Sequence, residues 1–367
     1  MEGNHNILVT GNGFDLYHGR KTGYMDFIRC VEDAFAQSKD QRDEVQTRLT
    51  ELCNVNGFFR HYHFTMSEDL SWTWFEGEMD NIVAALAHFQ AVMVENQKDP
   101  EYDPASYNII GGLFSYNDLQ IFKHFARIFE QVYDDPSGGL FKLRQQFITP
   151  EKRLNVTALA AEARRELDSF TAALDLYLTA CVGVSDGAGA AGRPGLCEAA
   201  DAVFKAEGFD KIRPDYVINF NFTDTAERCG VPEERVFYAK GKAGSMPVNL
   251  VLGSPDLAEE PADWIYLRNY FQKLMKFIGQ PDRAQLYPVD ESGNPVPVTF
   301  YYFGYSFPAG DAELIRELDA AAAKTVIYCA DREDYAYKVI RLIRLFGKDA
   351  VTEKIYDGRY LFEIRKD

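Results

Sequence analysis

The chain has 367 residues, 46% of them hydrophobic, enough for one large core or two modest ones, because single cores stop growing near ~250–300 residues. Its 39 Lys and Arg stand against 56 Asp and Glu, a formal net charge of -17, which argues against duplex nucleic acid as a partner but admits a small anionic nucleotide held by a few local donors. The 6 cysteines lack metal-type spacing, and no apolar run approaches the ~18 residues that span a bilayer, so a cytoplasmic protein with no membrane partner and no metal is expected.

The first predicted element is a short apolar strand over 6–10, running straight into Gly11-Asn-Gly-Phe-Asp-Leu-Tyr-His-Gly19. A strand ending in Gly-x-Gly is how α/β proteins bring a backbone close to a phosphate, with the amides of the next helix aimed at the anion. Leu16 stands where a full dinucleotide fingerprint needs its third glycine, so a tight turn without ligand remains the plain alternative. Helical periodicity follows. Trp72, Phe75, Met79, Ile82, Leu86, Phe89 and Met93 form one amphipathic stripe; Leu119, Phe122, Ala126, Phe129 and Tyr133 form a second; a third runs from Val156 to Cys181. His61-Tyr-His63 could be a metal pair on a strand, but no third ligand stands at useful spacing.

Five glycines and a proline over 183–195 predict a loop or linker. Beyond it come short β-branched or aromatic runs, at 216–221, 236–239, 248–252, 298–303 and 325–329, with helical patterns at 263–278, 311–323 and 333–346. Alternating β and α predicts an α/β fold with a mainly parallel sheet. The first strand most economically joins that sheet. Residues 1–30 and 206–367 then form a nucleotide-binding α/β domain, and 31–205 an all-helical insertion after the first strand. The absence of a second strand soon after Gly13 argues against an ordinary dehydrogenase.

Ligands of parallel sheets bind beyond the carboxyl ends of the strands. Those ends carry Gly11–Asp15, Asn219–Asp224, Lys240–Lys242, Gly253-Ser254, Gly304–Ser306 and Ala330-Asp331. Small residues there let a ligand reach the main chain, while Asn, Asp, Ser and Lys supply hydrogen bonds and charge. No serine sits in a G-x-S-x-G elbow, so a serine nucleophile is unsupported.

The opening nine residues, followed by Thr22-x-Tyr-x-Asp-Phe27, Trp72-x-x-x-Glu76, Phe220-Asn-Phe-Thr-Asp-Thr225 and Gly304-Tyr-Ser-x-x-x-x-Asp311, resemble the ordered motifs of the AbiH family of phage abortive-infection proteins. That family is in turn similar to sirtuin-like domains, whose Rossmann-like fold binds NAD and in several antiphage systems hydrolyses it. The resemblance implies an antiphage protein that binds NAD or a related adenine nucleotide and acts as an NAD glycohydrolase. It implies a phosphate and ribose loop of Gly11, Asn12, Gly13, Phe14 and Asp15, with His18 at the pocket wall. Asn219 and Asp331 join as strand-end ligand residues; Asn221 lies by the nicotinamide ribose, and Gly304, Tyr305 and Ser306 lie by the adenosine half. Lys240 stands where related chains carry a histidine base, and a lysine with a reference pKa near ~10.4 is a poor base at neutral pH. Cleaving a nicotinamide-ribose bond needs an anion beside an oxocarbenium-like state, from Asp224 or Asp15, with Asn221 orienting water and Lys240 holding phosphate. The Lys240 substitution motivates the alternative of a non-catalytic nucleotide sensor or protein-interaction module, whose helical insertion meets a partner or a second copy.

Overall fold

A computed structural model describes residues 4–65, 72–99, 113–133, 140–184, 212–254 and 262–364. The chain divides into two units. One takes Met1–Gly23, Leu178–Leu250 and Lys273–Asp367; the other takes Tyr24–Tyr177 and Val251–Gln272. The strands of the described residues are β1 (His5–Thr10), β2 (Phe129–Tyr133), β3 (Leu140–Leu143), β4 (Tyr216–Asn219), β5 (Val236–Tyr238), β6 (Val298–Phe303), β7 (Lys324–Cys329) and β8 (Tyr360–Ile364).

The first unit holds a 6-stranded sheet in the order β5-β4-β1-β6-β7-β8. Every neighbouring pair is parallel. Counted among themselves along the chain, the strands run 3-2-1-4-5-6, so the path reverses between β1 and β6, where open α/β sheets leave a crevice. β1 lies between β4 and β6, with Leu8 in register with Val217 and Tyr301. Ile7, Leu8 and Val9 are all buried, which is why this strand reads as a continuous apolar run. Each such side chain contributes about 1.5–3 kcal/mol by leaving water.

Both sheet faces are covered. Ile7, Val9, Ile218, Phe300 and Ile327 share a core with Ile315 and Leu318 of the helix Ala312–Ala321, Leu342 of Arg332–Phe346 and Val351 of Lys348–Tyr356. On the opposite face, Leu8 and Val217 meet Phe14 of the helix Asn12–Tyr17 and Ala226 of the helix Thr225–Arg228.

Two differences from expectation concern this sheet. β8 closes one edge although no strand is predicted there; its run Tyr-Leu-Phe-Glu-Ile follows the positive-φ turn at Gly358. Residues 248–252 form no strand. Asn249 there accepts the Lys242 amide at 3.0 Å and Lys276 donates to the Leu250 carbonyl, so side chains take the place of a ladder.

The second unit contains the helices Tyr24–Ala36, Glu44–Cys53, Gly57–Thr65, Trp72–Asn96, Tyr116–His124 and Val156–Leu176. It is not all-helical. β2 and β3 pair antiparallel, and the second predicted stripe ends as helix at His124. Phe129 and Tyr133, four residues apart, share a face in a strand as they do in a helix, and the hairpin takes them. Tyr62 stacks on Phe75 at 4.3 Å and Phe75 on Phe170 at 5.8 Å, an aromatic core that explains the stripes. His61 and His63 lie on a helix and not on a strand. Residues 185–211, which include most of the expected linker, lie outside the described residues. Among the described residues no helix is long and apolar enough to cross a membrane.

Candidate functional site

The turn after β1 is built by close backbone contact. Gly304, just past β6, has φ of 63°, and a Cβ there would lie 2.1 Å from the Phe14 nitrogen; a Cβ on Gly13 would lie 2.7 Å from the Gly304 Cα. Only glycine tolerates that approach. The amides of this turn are engaged by protein: Gly11 donates to the Phe303 carbonyl at 3.1 Å, Gly13 to Gly304 at 3.0 Å and Phe14 to Gly11 at 2.8 Å. The glycines thus lock β1 to β6, and these three amides do not face an anion.

On the β4 side of the turn lies a buried polar network. Asn219 accepts from the Thr10 hydroxyl and the Asn221 amide, each at 2.9 Å, and donates to the Thr223 carbonyl. Asn221 donates to the Gly11 carbonyl at 2.8 Å, while Asn12 accepts from Thr22. Asp15 is fully buried and accepts from Thr223 at 2.6 Å and from Thr225. Burial raises its pKa, against the opposing pull of Arg20. Arg20 donates to Asp224 at 2.7 Å and to Thr225 at 2.8 Å, and Arg228 holds the other Asp224 oxygen at 3.0 Å. His18 contacts the Phe14 carbonyl through Nδ1 at 2.7 Å, and burial lowers its pKa. Phe14 packs edge-on to Phe303 at 5.6 Å.

A cleft of about 650 Å³ opens at the carboxyl ends of β1, β6, β7 and β8. Of the sequence-predicted residues, Gly13, Gly304, Tyr305 and Ser306 line it; Asn219, Asn221, Asp224 and Lys240 do not. Asp331 caps the helix Arg332–Phe346 by accepting the Asp334 amide at 2.8 Å. The remaining wall is aromatic and charged, with Tyr17, Phe303 and Tyr328 beside Asp334, Lys338 and Glu363. Tyr17 and Phe303 meet edge to face at 5.1 Å. Lys338 is buried and donates to the Tyr328 carbonyl at 2.6 Å and to Asp334 at 2.8 Å; Asp334 also accepts the Ala330 amide at 2.8 Å. Burial and nearby Glu363 push the Tyr328 phenol up to about 12, and burial pushes the Cys329 thiol up to about 11, so neither is ionised at neutral pH. The charged wall carries no sequence motif; the signal for it was the run Tyr-Leu-Phe-Glu-Ile of β8, whose Glu363 is in register with Tyr328.

Lys240 lies 3.2 Å from Asp311, a carboxylate that also accepts from the Tyr305 hydroxyl at 2.9 Å. Asp311 is buried, and its other oxygen has no hydrogen-bond partner among the described residues. It closes the last of the sequence motifs, yet its distance from the strand end hides its part in the site. Tyr305 carries this buried pair to the cleft wall.

A family model described as Bacteriophage abortive infection AbiH matches residues 7–329. No curated protein and no solved structure matches the chain.

Proposed function

This chain belongs to the AbiH family of bacteriophage abortive infection, and on that premise we propose that it binds a nucleotide, NAD or an ADP-ribose-like molecule, in the cleft at the carboxyl ends of β1, β6, β7 and β8. One observation carries the reading: a cleft of about 650 Å³ beside the point where the strand order 3-2-1-4-5-6 reverses, walled by the four aromatic rings of Tyr17, Phe303, Tyr305 and Tyr328 and by polar groups. That strand order is the one found in Rossmann-like dinucleotide-binding sheets, and its crevice is where their ligands sit. Aromatic rings supply faces for a base, and Ser306 with the carboxylates supplies hydrogen-bonding groups for ribose. Because the amides of Gly11, Gly13 and Phe14 are engaged, affinity comes mainly from the cleft wall.

Titration calorimetry with NAD and with ADP-ribose tests this. Ala330→Trp, which places an indole on the exposed rim of the cleft, is expected to weaken binding by at least about tenfold. Failure of both ligands to bind at millimolar concentration, or full binding by the filled variant, overturns the proposal.

A second reading, cleavage of the nicotinamide-ribose bond, draws on Asp311. A buried carboxylate with one uncommitted oxygen next to a cleft-wall tyrosine is the kind of anion an oxocarbenium-like state requires. Nicotinamide release by the wild type that disappears in Asp311→Asn, with Asn221→Ala as a comparison, supports turnover; binding without release leaves a sensor.

A further inference from the structure

Three charged side chains line the cleft: Asp334, Lys338 and Glu363. The first two neutralise each other at 2.8 Å, and Lys338 spends a second donor on the Tyr328 carbonyl. Among the described residues no donor is hydrogen-bonded to Glu363. It stands at the end of β8, in register with Tyr328, whose phenol its charge helps to keep protonated. Counted over the described residues, the wall therefore carries one unbalanced negative charge. The helix that begins beside it offers no compensation, because Asp331 caps it and Glu333 and Asp334 already occupy its first turn.

A phosphate brought to such a wall meets like charge in partly dehydrated surroundings, whereas a vicinal diol finds an acceptor for both of its hydroxyls. In dinucleotide-binding sheets a carboxylate that takes a ribose diol excludes the 2′-phosphorylated form. Such a carboxylate ordinarily follows the second strand of the sheet, but here the end of β4 carries Asn219-Phe-Asn221, and the nearest acid there, Asp224, is locked between two arginines. We propose that Glu363, on the last strand, is the specificity-determining residue of this cleft: it accepts the hydroxyls of an unphosphorylated ribose and selects NAD against NADP. The inference rests on the nucleotide-binding reading given above.

Its test is a pair of titrations, NAD and NADP, against the wild type, Glu363→Gln and Glu363→Lys. Glu363 is exposed and makes no hydrogen bond to the described residues, so both variants are expected to fold, which their thermal unfolding checks. The wild type is expected to prefer NAD by about tenfold or more, the scale of one like-charge contact at a partly wet surface. Glu363→Gln is expected to bring the two ligands within about threefold, and Glu363→Lys to reverse the order, because the charge term is first removed and then inverted. Equal affinity of the wild type for NAD and NADP, or a preference that survives in Glu363→Gln, overturns this assignment while leaving nucleotide binding intact. Absence of binding by both NAD and NADP overturns this assignment, and if ADP-ribose also fails to bind, the nucleotide reading falls with it.

Discussion

Asp224 has two carboxylate oxygens, and arginines hold both of them. Together with Asp15, Thr223 and Thr225 it ties the first helix to the loop after β4, so the two aspartates that the sequence offers as reaction anions are committed to architecture. Asp224→Asn is expected to lower stability by about 3 kcal/mol in urea unfolding, because Arg20 is then left buried without its counter-charge. A catalytic role alone would leave the unfolding midpoint unmoved. Gly304→Ala is expected to cost at least about 2 kcal/mol by the same measurement, combining a left-handed φ with a Cβ driven into the Phe14 amide. Sequence shows that residues 11–15, 219–225 and 304–311 come together, since asparagines, threonines and glycines at strand ends have few other uses. It does not show which of them face a ligand. An Asn that organises a turn and an Asn that touches a ribose are the same letter, and only the partners of Asn219 and Asn221 separate the two.

Helix Val156–Leu176 carries Glu166 into the core of its unit, where it accepts the amide of Gly57 at the start of the helix Gly57–Thr65. Burial pushes this carboxyl up to about 8, and Arg127 only partly offsets it. The folded chain therefore keeps a proton that the unfolded chain releases near its ordinary value of 4.5, so stability falls as pH rises from there to about 8, by at most ~1.4 kcal/mol per pH unit. Urea midpoints measured between about pH 5 and about pH 8 are expected to show that slope in the wild type and a shallower one in Glu166→Gln. The helices of this unit are legible from their stripes because aromatic residues at spacings of three and four fill a bundle. The hairpin of β2 and β3 is not, since Phe129 and Tyr133 satisfy both periods at once. β8 escapes for another reason: an edge strand is short and half exposed, so its pattern is weak, and with it went the charged side of the cleft.

A net charge of -17 acts on every approaching anion before any local contact forms. Salt screens that repulsion over about 8–10 Å, so the association rate of NAD is expected to rise by about two- to threefold between low and physiological ionic strength in stopped-flow measurements. A rate that falls with salt would reveal a local cationic funnel and contradict the negative wall. The placing of β1 has a consequence for synthesis on the ribosome. Within its sheet it is made before both neighbours, which begin at Tyr216 and Val298. At about 5–20 residues per second, both flanks of Ile7-Leu-Val9 stay unpaired for roughly 10–40 s, and the flank that β6 covers for roughly 15–60 s. During that interval the nascent chain displays the apolar run Ile7-Leu-Val9 with open edges. Chaperone contact is expected to concentrate on that segment, and shortened chains that end before β6 are expected to aggregate, having made the centre of a sheet without its second neighbour.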